Sequence, residues 1–377
     1  MESPFQFGKV VEGDFFTNRK EDLKQLMSNF DNGINTILLS PRRWGKTSLI
    51  KKALTNYTNS KKVKVCLIDL FGVRTEDEFF SLFAREIIKS TSTKVEEWIA
   101  VSKDFLSRVA PQISIGTDPI NDFNIKFNLS NDSKNASDIL NLPEKIAKKK
   151  NIRVIFCIDE FQNLGSIAES IKLQKLLRSV FQNHKNVVYC LFGSKRHMML
   201  ELFENKSMPF YKFGDLLNLK KISKEDLMDF IISRFKSTGK DIPKEIAESI
   251  VTKMDRHPYY VQQFAHIVWN NTETRVTKKI FDYSLEKLLE QNSILFEREI
   301  ENLSNTQINF LAALAEGVTS GFSSKEVLSN YKLGSSANVV KIKTVLISKE
   351  VIDFENSNAV FVDPVFKLWF QKFYLRK

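Results

Sequence analysis

The sequence predicts an α/β fold in which helices wrap a five-stranded parallel sheet, followed by a helical domain and a winged-helix domain. Over residues 1–221, short apolar runs alternate with helical patterns. This alternation is typical of parallel sheets, because their strands are joined by helical crossovers. Strand patterns end near residue 222, helices continue to about Glu301, and three further helices with a hairpin then indicate a winged helix. We therefore predict three domains: a core at 1–221 with an insertion at about 111–130, a helical lid domain at 222–303, and a winged helix at 304–377.

The five predicted strands are short apolar runs that end in polar turns. They lie at Thr36–Leu39, Val63–Leu70, Val154–Ile158 and Val187–Phe192, with a last short strand before Leu219. Core helices are predicted after Asn18 and at Lys46–Tyr57, Thr75–Ser90, Val95–Val109, Ala136–Lys149 and Ser166–His184. Pro111, Gly116 and Pro119 interrupt alternating residues between two of these helices, which indicates a β-hairpin or an irregular insertion.

The C-terminal part of the chain changes from helices alone to helices with a hairpin. Helices of the lid domain are predicted to begin at Ser223, Pro243 and His257. The winged helix is predicted from helices at Thr306–Glu316, Ser323–Tyr331 and Ser336–Lys349, a hairpin of Val351–Phe354 and Ala359–Val362, and a closing helix at Asp363–Phe370.

Composition and charge argue against a membrane protein and permit a polyanionic partner. No apolar run approaches the about 18 residues of a membrane-spanning helix, and residues 1–5 lack the features of a signal peptide. Cys66, Cys157 and Cys190 lie in apolar strand-like runs without metal-ligand spacing, as expected for free thiols in the cytoplasm. The net charge of +11, from 56 Lys and Arg against 45 Asp and Glu, allows a polyanion to bind but does not require one.

A phosphate-binding loop is predicted between the first strand and the next helix. A Walker A loop points backbone N–H groups and the positive end of a helix at a phosphate chain. Lys46 would reach the β- and γ-phosphates of ATP, and Thr47 would place its hydroxyl on Mg²⁺. The pattern G-x-x-x-x-G-K-[ST] has glycine where this chain has Ser40. The predicted nucleotide-binding residues of the loop are Ser40, Pro41, Arg42, Arg43, Trp44, Gly45, Lys46, Thr47 and Ser48.

Two carboxylates follow the strand at Val154–Ile158. Ligands of open α/β sheets bind at the carboxyl ends of the strands, so Asp159 and Glu160 lie where a nucleotide would bind. We predict Asp159 as the Mg²⁺ residue and Glu160 as the group that activates water. Side chains alternate along a strand, which would turn the two acids in different directions. Ser194, after the next strand, is predicted to sense the γ-phosphate; Gly-Ser is also an ordinary turn.

These motifs together resemble the archaeal-type ATPases of the STAND group, a branch of the AAA+ superfamily, over nearly the whole chain. The resemblance rests on the order and spacing of several short segments. They are Phe7-Gly8, Phe16-Thr17-Asn18-Arg19, Pro41–Thr47, Asp159-Glu160-Phe161-Gln162, Gly193-Ser194, Pro209-Phe210-Tyr211, His257-Pro258-Tyr259 and Asp363-Pro364-Val365-Phe366 with Trp369.

The resemblance implies further roles in nucleotide binding. Arg19 and the arm before it would border the base and ribose, and Ser194 would be the first sensor. His257 and Pro258 match the lid motif that such proteins use where other AAA+ proteins carry a sensor arginine. From the residues alone, the same pair is also an ordinary helix start with proline in its first turn. Many relatives carry a Gly-Arg pair near Tyr211, where this chain has Lys212-Phe213, so no arginine finger is evident.

Three functions fit these residues. The first is an ATPase that hydrolyses ATP with Mg²⁺, slowly or when stimulated by a partner, and acts as a nucleotide-driven conformational switch. The second is an ATP-regulated DNA-binding protein that uses the winged helix. The third is a scaffold for protein partners or for a homo-oligomer, in defence or toxin control, with little hydrolysis. Residues 304–377 carry nine Lys and Arg against six Asp and Glu, a net of +3, which is low for a domain that reads DNA.

Overall fold

The computed structural model describes residues 2–10, 19–92, 114–117, 123–126 and 133–376. These residues form two compact units. The first contains Arg19–Arg42 and Lys46–Lys220, and the second contains Lys221 onward together with residues 2–10 and the short segment Arg43–Gly45. No helix among the described residues is long and apolar enough to cross a membrane.

A five-stranded parallel sheet forms the centre of the first unit, as predicted. Its strands are β1 (Thr36–Leu39), β2 (Val63–Asp69), β5 (Arg153–Asp159), β6 (Val187–Gly193) and β7 (Asp215–Asn218). The strand order is β2-β5-β6-β1-β7, with all neighbours parallel. The strand at β6 therefore lies beside β5, and it also separates β5 from β1. Every residue of β1 and β6 is buried, as expected for a sheet covered on both faces.

The described helices of the first unit cover this sheet. They are α1 (Lys20–Asn32), α2 (Lys46–Thr55), α3 (Glu76–Thr91), α4 (Ser133–Leu140), α5 (Leu142–Lys150), α6 (Ser170–Phe181) and α7 (Arg196–Glu204). Phenylalanine fills much of the core. The Phe83 ring from α3 stacks on the Phe156 ring of β5, with 4.6 Å between the ring centroids. The helix predicted at Val95–Val109 lies outside the described residues.

The single helix predicted over Ala136–Lys149 was wrong, since two helices meet at Asn141. Pro143 lies in the first turn of α5, where its missing N–H costs nothing. Inside a continuous helix, the same ring would remove a hydrogen bond and clash with the preceding turn. Of the predicted insertion, β3 (Ser114–Thr117) and β4 (Phe123–Lys126) pair as an antiparallel hairpin. The rest of 111–130 lies outside the described residues.

The second unit joins helices of the predicted lid to a winged helix. Its elements are α8 (Lys224–Ser237), α9 (Lys244–Lys253), α10 (Pro258–Asn270), α11 (Lys278–Glu301), α12 (Asn305–Ala315), α13 (Lys325–Asn330), α14 (Ser336–Ser348), β8 (Ile352–Glu355), β9 (Asn358–Phe361) and α15 (Pro364–Trp369). The β8 and β9 strands pair antiparallel as the wing. One continuous hydrophobic cluster runs from Phe5 through Phe296 to Trp369, so the lid helices and the winged helix share a core.

Candidate nucleotide-binding site

The loop between β1 and α2 accommodates serine at its first position without backbone strain. Ser40 is fully buried, and its hydroxyl donates to the Pro41 carbonyl over 2.8 Å. The left-handed residues of this loop are Arg43 (φ 61°) and Gly45 (φ 84°), and Ser40 is not among them. The glycine of the general pattern is therefore not needed for its backbone freedom at this position.

The first turn of α2 carries the predicted phosphate and magnesium residues. Lys46 is buried at the start of the helix, and Ser48, two residues on, is buried too. The Thr47 hydroxyl lies 3.3 Å from a carboxylate oxygen of Asp159 at the end of β5. Sheet order explains this approach, because β1 and β5 flank β6 and end at the same edge. Pro41 is half-buried and Arg42 is exposed in the loop before the helix.

Asp159 is a largely buried carboxyl group with one nearby positive charge, that of Lys46. Burial raises its pKa to about 6, and the nearby charge of Lys46 opposes that rise. A carboxylate and a hydroxyl suit Mg²⁺, which prefers oxygen ligands and takes few of them from protein when phosphates and waters supply the rest. The two side chains therefore fit a magnesium ion, whose charge would compensate the buried acid.

The Glu160 carboxylate contacts other side chains than Asp159 does, and it follows a left-handed backbone position rather than a continued strand. The strand ends at Asp159, and Glu160 has φ 50° at the start of a 3₁₀ turn, Phe161–Ser166. Its carboxylate accepts hydrogen bonds from Gln162 Nε2, from Ser194 Oγ at 2.9 Å and from the Ser194 N–H at 3.3 Å. Burial raises the pKa of Glu160, but the hydrogen bonds from Gln162 and Ser194, with the charge of Lys46, lower it overall. The prediction that strand alternation separates Asp159 and Glu160 was therefore wrong, because the strand ends before Glu160.

Gln162 is a site residue to which sequence reasoning gave no role. Its side chain is 1% exposed, and its Oε1 has no hydrogen-bond partner among the described residues. A Cβ on Gly193 would lie 1.8 Å from this oxygen. The absence of a side chain at residue 193 thus makes room for the amide that contacts Glu160. The signal in the sequence was the segment Asp159-Glu160-Phe161-Gln162, in which Gln162 follows Glu160 by two places.

Arg19 is buried at the start of α1. Its guanidinium donates to Asp22 and to the Lys220 carbonyl, each over 3.1 Å. Burial lowers the pKa of Arg19, and Asp22 opposes the change. These bonds hold the Arg19 side chain between the first turn of α1 and Lys220, the last residue of the first unit. The role at the base and ribose stays a prediction.

The remaining predicted residues belong to the second unit. His257 is the residue directly before α10, and Pro258 occupies the first turn of that helix. The Trp44 ring lies edge-on to the His257 ring, with 6.1 Å between centroids, and both side chains are buried. Arg43 donates to the Tyr260 hydroxyl over 3.2 Å. The structure thus brings the tip of the loop, Arg43–Gly45, together with the His-Pro helix start.

Comparison with known families decides the assignment. A family model described as an ATPase domain predominantly from Archaea matches residues 16–264, which is more than half of the chain. The chain belongs to the archaeal-type ATPase family. A second model, for a winged helix domain, matches residues 294–372 of this archaeal-type ATPase. No curated protein matches the chain at a significant level.

Solved structures share the fold of this archaeal-type ATPase along almost the entire chain. A Walker-type ATPase of Pyrococcus abyssi is 18% identical, covers 98% of this chain and 99% of its own, and superposes with a TM-score of 0.69. The ORC2 protein of Aeropyrum pernix, solved as ADPNP and ADP complexes, is 15% identical, with coverage of 99% and 100% and a TM-score of 0.57. At these identities the likeness is one of fold.

Proposed function

We propose that this protein is an AAA+-type P-loop ATPase of the STAND group, which binds ATP with Mg²⁺ and hydrolyses it slowly as a conformational switch. The observation that carries the proposal is the meeting of Lys46, Thr47, Asp159 and Glu160 at one edge of the sheet. The Thr47 hydroxyl lies 3.3 Å from a carboxylate oxygen of Asp159. The charge of Lys46 opposes the rise that burial causes in the pKa of Asp159 and helps to lower the pKa of Glu160.

Each of these side chains has a separate task. Lys46 and the N–H groups at the start of α2 bind phosphate oxygens. Thr47 and Asp159 would hold Mg²⁺, which neutralises phosphate charge when bound. Glu160 would orient the attacking water, because phosphoryl transfer depends on positioning of the reactants and on stabilisation of charge. Ser194 donates to Glu160, so a residue after β6 sets the position of that carboxylate.

Binding and hydrolysis are separated by two substitutions. We expect Lys46→Ala to weaken Mg·ATP binding at least tenfold, a loss of about 1.4 kcal/mol or more, measured by calorimetry. Glu160→Gln keeps its shape but loses its charge, so ATP affinity should stay within a few-fold while phosphate release falls about 10²-fold or more. Glu169→Gln, an exposed carboxylate at the start of α6, is the matched control and should hydrolyse as the wild type does.

Two outcomes would contradict the assignment. Unchanged affinity in Lys46→Ala removes the phosphate role of the loop. Wild-type turnover no higher than background, with partner or nucleic acid added, removes hydrolysis and leaves a nucleotide-binding switch.

Asp159→Asn provides a third check, since it should weaken the Mg²⁺ dependence of ATP binding. A competition assay tests the base, for which we propose adenine over guanine.

For the output of the switch, we favour a protein partner over DNA. The solvent-facing side of α14 presents Lys341 beside Val340, which is 63% exposed. On the wing, Glu355 pairs with Lys221. DNA-reading surfaces concentrate cations, whereas α14 carries only Lys341 and Lys343 and lacks an arginine, whose planar guanidinium suits bidentate contact with guanine. Fluorescence anisotropy with duplex DNA at two salt concentrations should show weak, sequence-independent binding. A sequence-specific complex would favour the DNA-binding alternative.

A further inference from the structure

Arg43 has a backbone conformation that its surroundings must maintain. It is a non-glycine residue with φ 61° in the loop that precedes the Walker lysine. Such residues persist where neighbouring contacts fix them, and they often lie at sites that switch between two arrangements. The segment Arg43–Gly45 belongs to the second unit, as do Tyr259 and Tyr260, which the Arg43 side chain contacts.

A chain of three side chains leads from Arg43 to the winged helix. The Arg43 guanidinium lies 4.7 Å from the centre of the Tyr259 ring, and its Nη1 donates to the Tyr260 hydroxyl over 3.2 Å. The Tyr260 hydroxyl donates in turn to a carboxylate oxygen of Asp363. Tyr260 is 4% exposed, so little water reaches the middle of the chain.

Asp363 caps the last helix of the winged helix. Its other carboxylate oxygen accepts from the N–H groups of Val365 at 2.8 Å and Phe366 at 3.0 Å. Burial raises the pKa of Asp363, and the charge of Arg43 opposes that rise. Glu299, on α11, is a second buried carboxyl whose pKa is raised to about 7 by burial and by Asp363. Tyr260, which accepts from Arg43 and donates to Asp363, therefore links the position of Arg43 to the charged cap.

We propose that the chain Arg43–Tyr260–Asp363 couples the state of the phosphate loop to the cap of α15. A triphosphate is a stronger acceptor for a guanidinium than a phenol oxygen is. Phosphate binding would therefore draw Arg43 from Tyr260, and Asp363 would lose the positive charge that Tyr260 links to it. The cap of α15 would loosen as a result. This inference rests on the proposed nucleotide binding, because it assigns the regulation of that same site.

Hydrogen exchange of the full-length protein tests the proposal directly. The amide N–H groups of Val365 and Phe366 report the cap, and they are followed with and without Mg·ATPγS. We expect nucleotide to speed their exchange about five-fold or more in the wild type, the lower end of typical coupling between sites. Tyr260→Phe removes the bridging hydroxyl and should show less than about a two-fold response. Tyr259→Phe keeps the ring that faces Arg43, so it is the matched control and should respond as the wild type does.

A double variant distinguishes a chain from two independent effects. If Arg43 acts through Tyr260, Arg43→Ala and Tyr260→Phe each abolish the response, and combining them adds nothing further. A wild-type protein that binds Mg·ATPγS by calorimetry without changed exchange at Val365 and Phe366 overturns the coupling and leaves the proposed function intact. A full response in Tyr260→Phe also overturns it. Absence of nucleotide binding overturns both.

Discussion

At the scale of single residues, the position of the Glu160 carboxylate depends on a residue that has no side chain. Glu160 is held by Ser194 and Gln162, and Gln162 occupies the space that a Cβ on Gly193 would fill. Glycine is needed here for close packing, since its backbone is not in the left-handed region. A methyl group at this position would act on the site through Gln162.

We therefore expect Gly193→Ala to lower turnover about tenfold, a partial loss of what a positioned base contributes. ATP affinity should change less than turnover, because Lys46 and Thr47 are not displaced. Steady-state phosphate release and calorimetry measure the two quantities. In a Gln162→Ala background the clash is gone, so adding Gly193→Ala should have little further effect. An equal loss in both backgrounds would show that Gly193 acts by another route.

At the scale of secondary-structure elements, His184 joins the end of α6 to β6 and to the junction of α4 and α5. Its ring nitrogens lie 2.8 Å from the Tyr189 hydroxyl and 3.2 Å from the Asn141 side-chain oxygen. Burial lowers the pKa of His184 to about 4, with Glu144 opposing the change. The unfolded chain, with a histidine pKa near 6.5, takes up a proton before the folded chain does.

The stability contributed by neutral His184 is therefore complete above about pH 6.5 and is lost as the pH falls toward 4. From these values we expect a loss of about 2 kcal/mol between pH 7 and pH 5 from this residue. His184→Gln does not titrate, so its melting temperature should fall less steeply over that range. Thermal unfolding in matched buffers measures the difference, which should be constant above pH 7.5. Parallel curves for the two proteins between pH 7 and 5 would contradict the assignment.

At the scale of the whole molecule, the winged helix is not a separate hydrophobic unit. Trp369 of α15 is 4% exposed, packs at 5.7 Å on Phe296 of α11 and donates its Nε1–H to Ser293 over 2.8 Å. The predicted boundary at 303/304 thus falls within a continuous core. Removing residues 304–377 would expose the apolar side of α11 to water.

We expect Trp369→Ala to destabilise the second unit by about 3 kcal/mol or more, as for other large buried aromatic side chains. Phe373, which follows in the next turn and is 42% exposed, provides the control: Phe373→Ala should cost less than about 1 kcal/mol. Chemical unfolding of the full-length variants, and limited proteolysis followed at residues 221–377, measure the two losses of stability. Equal stability of the two variants would indicate that the lid and winged helix do not depend on this shared core.

The sequence by itself determined the order of elements, the parallel sheet, the loop before α2 and the two acids after β5. These features depend on local periodicity and on short motifs. It did not determine that Asn141 breaks a helix, since the break depends on whether Pro143 falls inside a helix or at its start. It also could not show how Glu160 is held: Gln162, Gly193 and Ser194 meet only because β5 and β6 are neighbours. The contacts of Arg43 with Tyr260, and of Tyr260 with Asp363, join residues more than a hundred positions apart in each case. No periodicity encodes such distant pairs, so the tertiary structure alone decides them.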